Sequence, residues 1–136
     1  MNKIIKFLQT TISVLGGFLG YFLGELDGLI IALILFVTID YITGVMVAIL
    51  NKKLSSSIGF KGIFRKILIF LLVAIAHIID KEIIKTGDAL RMAIIFFYIS
   101  NEGISILENS TYLGLPVPEK LKNILYQINK KENKND

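Results

Sequence analysis

GLIIALILFVTIDYITGVMVAIL, running from Gly28 to Leu50, holds fourteen Leu, Ile, Val or Phe residues and a single charge, Asp40, near its middle. As a helix this stretch extends about 34 Å, enough to cross roughly 30 Å of hydrocarbon. Its apolar side chains favour insertion by roughly 4 to 8 kcal/mol, and the central carboxylate opposes that by about 3 kcal/mol. The stretch therefore inserts, and a carboxylate at that depth faces protein or water rather than lipid. Gly44, four residues after Asp40, puts a small residue beside it and favours a close helix contact there.

The rest of the chain repeats the pattern. Of 136 residues, 54% are hydrophobic and the mean hydropathy is +0.67, an apolar excess that calls for lipid cover. There is no Cys and one His, so no disulfide framework, thiolate chemistry or His-based metal cluster is expected. The net charge of +4 comes without a basic groove interleaved with aromatics, and nucleic acid is not an expected partner.

Before the central stretch, residues 7–24 form a marginal apolar segment diluted by Gln9, Thr10, Thr11 and Ser13. It reads as a retained helix that either spans the membrane or lies at its surface. Gly16, Gly20 and Gly24 recur every four residues, the spacing of a helix-packing face. Glu25, Leu26 and Asp27 make a short external link.

After the central stretch, residues 51–62 read as a polar loop. Lys52, Lys53, Lys61, Arg65 and Lys66 occur with no acidic residue among them, which places this region in the cytoplasm, near lipid head groups. Residues 63–79 form the next span, with Arg65 and Lys66 in its first turn, able to snorkel or to reach a neighbouring helix. Asp80 to Asp88 reads as an external turn. Residues 89–107 form the last span, with Arg91 flanking its start, and Asn101 and Glu102 need partners from neighbouring helices.

Pro116 and Pro118 break the helix after that. Leu121, Ile124, Leu125 and Ile128 then make one apolar stripe on a short helix, destined for the membrane surface or a partner. The final residues, KENKND, read as disordered.

The expected architecture is an all-α integral membrane protein. Residues 1–110 form a transmembrane domain of four spans, or three if the first helix does not cross. Residues 111–136 form a cytoplasmic amphipathic helix and tail, and both termini are cytoplasmic. No catalytic constellation accompanies this: His77 has no nearby Ser, Asp40 and Glu102 lack a supporting motif, and no phosphate-binding glycine loop precedes a helix. Neither an enzyme nor a cofactor is expected.

Two blocks carry a resemblance. IDYITGVMVAILNKKLSSSIGFKGIFRK (39–66) contributes Asp40, Gly44, Lys53, Ser56, Gly59, Gly62 and Lys66. YISNEGISILENSTYLGLPVPEKLKNIL (98–125) contributes Asn101, Glu102, Ser105, Asn109, Gly114, Pro116, Pro118 and Leu121. In that order they resemble the toxin secretion/phage lysis holins, the group with the clostridial toxin-export holins. The resemblance implies a protein of the bacterial or host-cell cytoplasmic membrane that forms homo-oligomers and opens lesions. The cargo it implies is a cell-wall hydrolase or a toxin lacking a signal peptide. Asp40, Asn101 and Glu102 would then face the oligomer interior. The competing expectation is a non-pore membrane partner, such as an antiholin or an accessory subunit that recruits a soluble protein through the C-terminal helix.

Overall fold

The computed structural model describes residues 1–134. It is all helical: α1 (Asn2–Leu23), α2 (Gly28–Leu50), α3 (Ser56–Ile78) running on into a π-helical turn (Ile79–Ile84), α4 (Ala89–Tyr112) and α5 (Glu119–Lys134). Helices α1 to α4, with the π-helical turn extending α3, are each long and apolar enough to cross a membrane, the marginal first one included.

Local chemistry sets the boundaries. Asp27 caps α2, its carboxylate accepting from the Ile30 N–H at 3.1 Å. Ser55 caps α3, accepting from Ile58 N–H at 3.2 Å. That cap corrects the sequence reading, because α3 begins at Ser56 rather than residue 63. The Ser/Gly-rich segment is helix, and its glycines have a packing reason. A Cβ on Gly59 or Gly62 would sit 3.5 or 3.4 Å from the Tyr41 side chain, so both glycines let α2 and α3 approach.

The turn expected over Asp80 to Asp88 is also largely helical. The π segment ends at Lys85, which is left-handed (φ 67) and hydrogen-bonds from its N–H to the Asp80 carbonyl. The last span extends to Tyr112, five residues beyond expectation, because Asn109 and Ser110 find partners within the bundle and their own helix. The tail expected to be disordered is helical as far as Lys134; Asn135 and Asp136 lie outside the described residues.

The core is small and sits between three helices. Ile30, Leu33 and Val37 of α2 meet Ile69 and Val73 of α3 and Ile95 and Ile99 of α4, all at helical spacings of three or four. α4 is the hub, packing against α2, α3 and α5. α1 packs on α3 and leaves nearly all its large apolar side chains exposed, as does the outer face of α2. Lipid is the solvent that such surfaces fit. The C-terminal helix, expected on a membrane surface or a partner, lies antiparallel on α4 of its own chain. Leu125 is buried there, while Leu121 and Ile124 stay exposed and Ile128 is half-buried.

Candidate functional site

Three spans each bring one charged side chain to a common point near mid-length. Lys66 of α3 donates from Nζ to a carboxylate oxygen of Asp40 on α2 and to one of Glu102 on α4. The side chains are 20% exposed for Lys66, 10% for Asp40 and 9% for Glu102, so the cluster is largely withdrawn from its surroundings. The second Asp40 oxygen accepts from Asn109 Nδ2 at 3.2 Å, and Asn109 also donates to Thr43 Oγ1 at 2.9 Å. No buried side-chain nitrogen or oxygen lacks a partner among the described residues. Two carboxylates from different helices thus share one ammonium.

Each member depends on its helix. Lys66 lies in the third turn of α3, not its first, because the helix starts at Ser56; that depth takes it from the head groups to the carboxylates. Gly44 lies one turn from Asp40, and a Cβ there would meet Asn109 Nδ2 at 3.8 Å. Gly103 beside Glu102 is tighter. A Cβ would stand 2.9 and 3.0 Å from the Leu125 methyls and 3.0 Å from Phe36 Cε1, so α5 and α2 both close on α4 there. Asn101 is not in the ion cluster; its Oδ1 accepts from Asn129 Nδ2 of α5 at 2.7 Å. An adjoining cleft of about 870 Å³ is lined by Asp40, Arg65, Lys66, Asn101, Glu102 and Lys130, among others.

The remaining expected residues lie elsewhere. Lys52 and Lys53 are exposed in the α2–α3 loop, Lys61 is exposed in the second turn of α3, and Arg65 is exposed further along α3 beside Lys66. A Cβ on Gly16 or Gly20 would meet no atom within 4 Å, so no contact within the chain uses them. Gly24 is outside α1, at φ 84, with Arg91 Nε 2.6 Å from where its Cβ would be.

That arginine marks a second ionic layer, which sequence reading left as a mere flank. Arg91 is 2% exposed. It donates to Leu23 O (2.6 Å), Glu25 O (2.9 Å) and both Asp27 carboxylate oxygens (3.0 and 3.4 Å), tying the α1–α2 link to α4. Asp80 joins from below, accepting from the N–H groups of Leu90 (3.3 Å) and Arg91 (2.8 Å). The Arg91 hydrogen bonds hold the Asp27 carboxyl below the usual carboxylate range; partial burial opposes them and the Ile30 N–H assists. The signal was present in the sequence as opposite charges, Asp27 and Arg91, flanking two spans on the same side.

The described residues contain no grouping of three or more His, Cys, Asp or Glu with metal-site geometry. The arrangement is that of a membrane bundle cross-linked at two levels. No solved structure matches it. An uncharacterized protein of Listeria monocytogenes is 48% identical over 125 residues, covering 92% of this chain and 86% of the relative. An uncharacterized 14.9 kDa protein from the nagH 3′ region of Clostridium perfringens is 41% identical, covering 97% and 100%. A probable holin of Bacillus phage phi105 is 40% identical over 108 residues, 79% of this chain and 78% of the phage protein. The model of the bacteriophage holin family matches residues 17–130, spanning both ionic layers and α5, and the chain belongs to that family: it is a multi-pass membrane protein and not an enzyme.

Proposed function

We propose that the protein accumulates in the cytoplasmic membrane with both termini and the α2–α3 loop inside, assembles with copies of itself, and opens a lesion. Through it a cell-wall hydrolase, or a toxin without a signal peptide, leaves the cell. The observation that carries this reading is the buried Asp40–Lys66–Glu102 cluster at mid-span. Buried charge in a membrane helix is costly and is characteristic of paths for water or ions. Such a cluster is satisfied within one chain and is also able to exchange partners with a neighbouring copy. The small-residue face at Gly16 and Gly20, unused inside the chain, offers a helix-packing surface for that neighbour. The basic residues in and just after the loop, Lys52, Lys53 and Lys61, support the orientation.

Asp40→Leu tests the role of the cluster. The variant keeps Lys66 paired with Glu102 and removes one of its two carboxylate partners. Lysis time should shift while the amount of protein in the membrane is unchanged. Unaltered timing at equal abundance would remove the cluster from the mechanism. In the competing antiholin or accessory reading, overexpression leaves the membrane potential intact and the protein co-purifies with a defined partner.

A further inference from the structure

Helix α5 lies at a depth that its sequence does not suit to lipid. The exposed apolar stripe of α2 runs from Ile31 through Leu35, Ile42 and Met46 to Ile49. That of α3 runs from Phe60 through Phe64, Leu71 and Ile75 to Ile78. Each covers about 27 Å of helix, so on both flanks the bundle meets most of a hydrocarbon core of about 30 Å. α4 ends level with α2, because the Tyr112 hydroxyl donates to the Asn51 side chain just past the last turn of α2. From that end α5 turns back along α4. Leu125 packs where Gly103 leaves room, and Asn129 donates to Asn101. Asn101 lies eleven residues before Tyr112, about 16 Å back along α4. The second half of α5 therefore stands at the height of the Asp40–Lys66–Glu102 cluster, beside the middle of the spans.

The side of α5 turned away from α4 is polar throughout. Lys120, Asn123, Gln127 and Lys130 follow one another at spacings of three and four, are all exposed, and share that face with no apolar residue. The exposed Leu121 and Ile124 lie toward the docked side, next to the half-buried Ile128. Polar groups continue beside the helix. Arg65 of α3 and Glu108 of α4 line the 870 Å³ cleft with Lys130, and Glu108 also lines a cleft of about 660 Å³ with Lys122, nearer the α4–α5 turn. To reach the head groups from its place beside Asn129, Lys130 would have to lift its ammonium about 16 Å along the bundle, farther than its stem extends. Charged and amide side chains at such a depth face protein or water.

We infer that the α4–α5 side is the water-facing wall of the protein inside the membrane. α2 and α3 turn their apolar stripes to lipid, and the Lys120–Asn123–Gln127–Lys130 face borders water held away from the hydrocarbon. Other copies of the chain close that space, so the inference rests on the proposed assembly for what encloses the water and not for which side is wet.

The sequence has no Cys, which permits site-specific spin labels on the full chain. Ile42 is two residues from Asp40 and Phe64 two from Lys66, so both stand at the height of Gln127, on the lipid flanks. Gln127→Cys, Ile42→Cys and Phe64→Cys are labelled singly, and Arg65→Cys/Lys130→Cys as a pair, in phospholipid vesicles carrying many copies. A water-soluble nickel chelate and lipid-soluble oxygen are the two relaxing agents. The ratio of nickel to oxygen collisions should be roughly tenfold or more higher at 127 than at 42 and 64. The labels at 65 and 130 should broaden one another's spectra, and the broadening should vanish on unfolding. Oxygen-dominated relaxation at 127 would overturn the inference by placing the flank in lipid. Absence of broadening would overturn it by showing α5 detached from the bundle. Nickel-dominated relaxation at 42 and 64 would overturn it too, since that half of the bundle would stand outside the membrane on every side. Dye release from the same vesicles reports on the lesion separately: release with a lipid-facing 127 sinks the inference alone, and a wet 127 without release sinks the lesion alone.

Discussion

Lys66 is the residue on which both buried carboxylates depend. Lys66→Met leaves Asp40 and Glu102 facing one another without a counter-charge, which should destabilise the bundle by about 3 to 5 kcal/mol. Replacing all three with apolar residues of similar volume should recover most of that loss, because desolvation of the ions disappears with them. Thermal unfolding in detergent of the single and triple variants checks the sign of that difference. Arg91 carries a comparable role at the other layer, where Arg91→Ala strips partners from Leu23 O, Glu25 O and Asp27 at a cost of about 3 kcal/mol. Asp27 adds a pH dependence. Its folded carboxyl titrates below its ordinary value, so its contribution is complete above the ordinary range and is lost as pH falls through the lower folded value. Melting temperature should therefore drop below about pH 4 in the parent protein, and less steeply in Asp27→Asn. Asp40 and Glu102 were legible as membrane carboxylates needing partners. That Lys66 could reach a neighbouring helix was legible too, but that it would join both carboxylates was not, because twenty-six and thirty-six residues separate them from it and only helix packing closes that distance.

At the scale of elements, α5 is the piece whose place depends most on one contact. Gly103 leaves room for Leu125 and Phe36 at distances that a methyl group would violate. Gly103→Leu overpacks that point, a strain of about 1 to 3 kcal/mol or more, and should release α5 while α2, α3 and α4 stay assembled. Limited proteolysis is the check, with cleavage near residues 113–118 rising in the variant and the spans staying intact. Hydropathy alone made the spans legible, since Gly28–Leu50 has a single charge and strong apolar content. The ends of α3 and α4 were less so. Ser55 to Gly62 has loop composition, yet Ser55 caps a helix and the glycines seat Tyr41. Asn109 and Ser110 look like helix breakers until Asp40, Thr43 and Ile106 O are seen to bond them. The apolar stripe of α5 was legible, but its docking on α4 was not, because periodicity marks a face without naming what covers it.

On the scale of the whole molecule, the chain is a thin-cored bundle whose exposed surface is largely apolar and whose interior is fastened by charges at two heights. That construction suits the proposed assembly, in which internal contacts are exchanged for contacts between copies. Its membership of the holin family fits this, and the lesion is the central claim. Controlled expression in a bacterium, recording membrane potential and the release of a cytosolic cell-wall hydrolase in the same culture, tests it most directly. Abrupt depolarisation accompanied by hydrolase in the medium is the predicted result. A culture that keeps both its membrane potential and its hydrolase, with the protein abundant in the membrane, would contradict it.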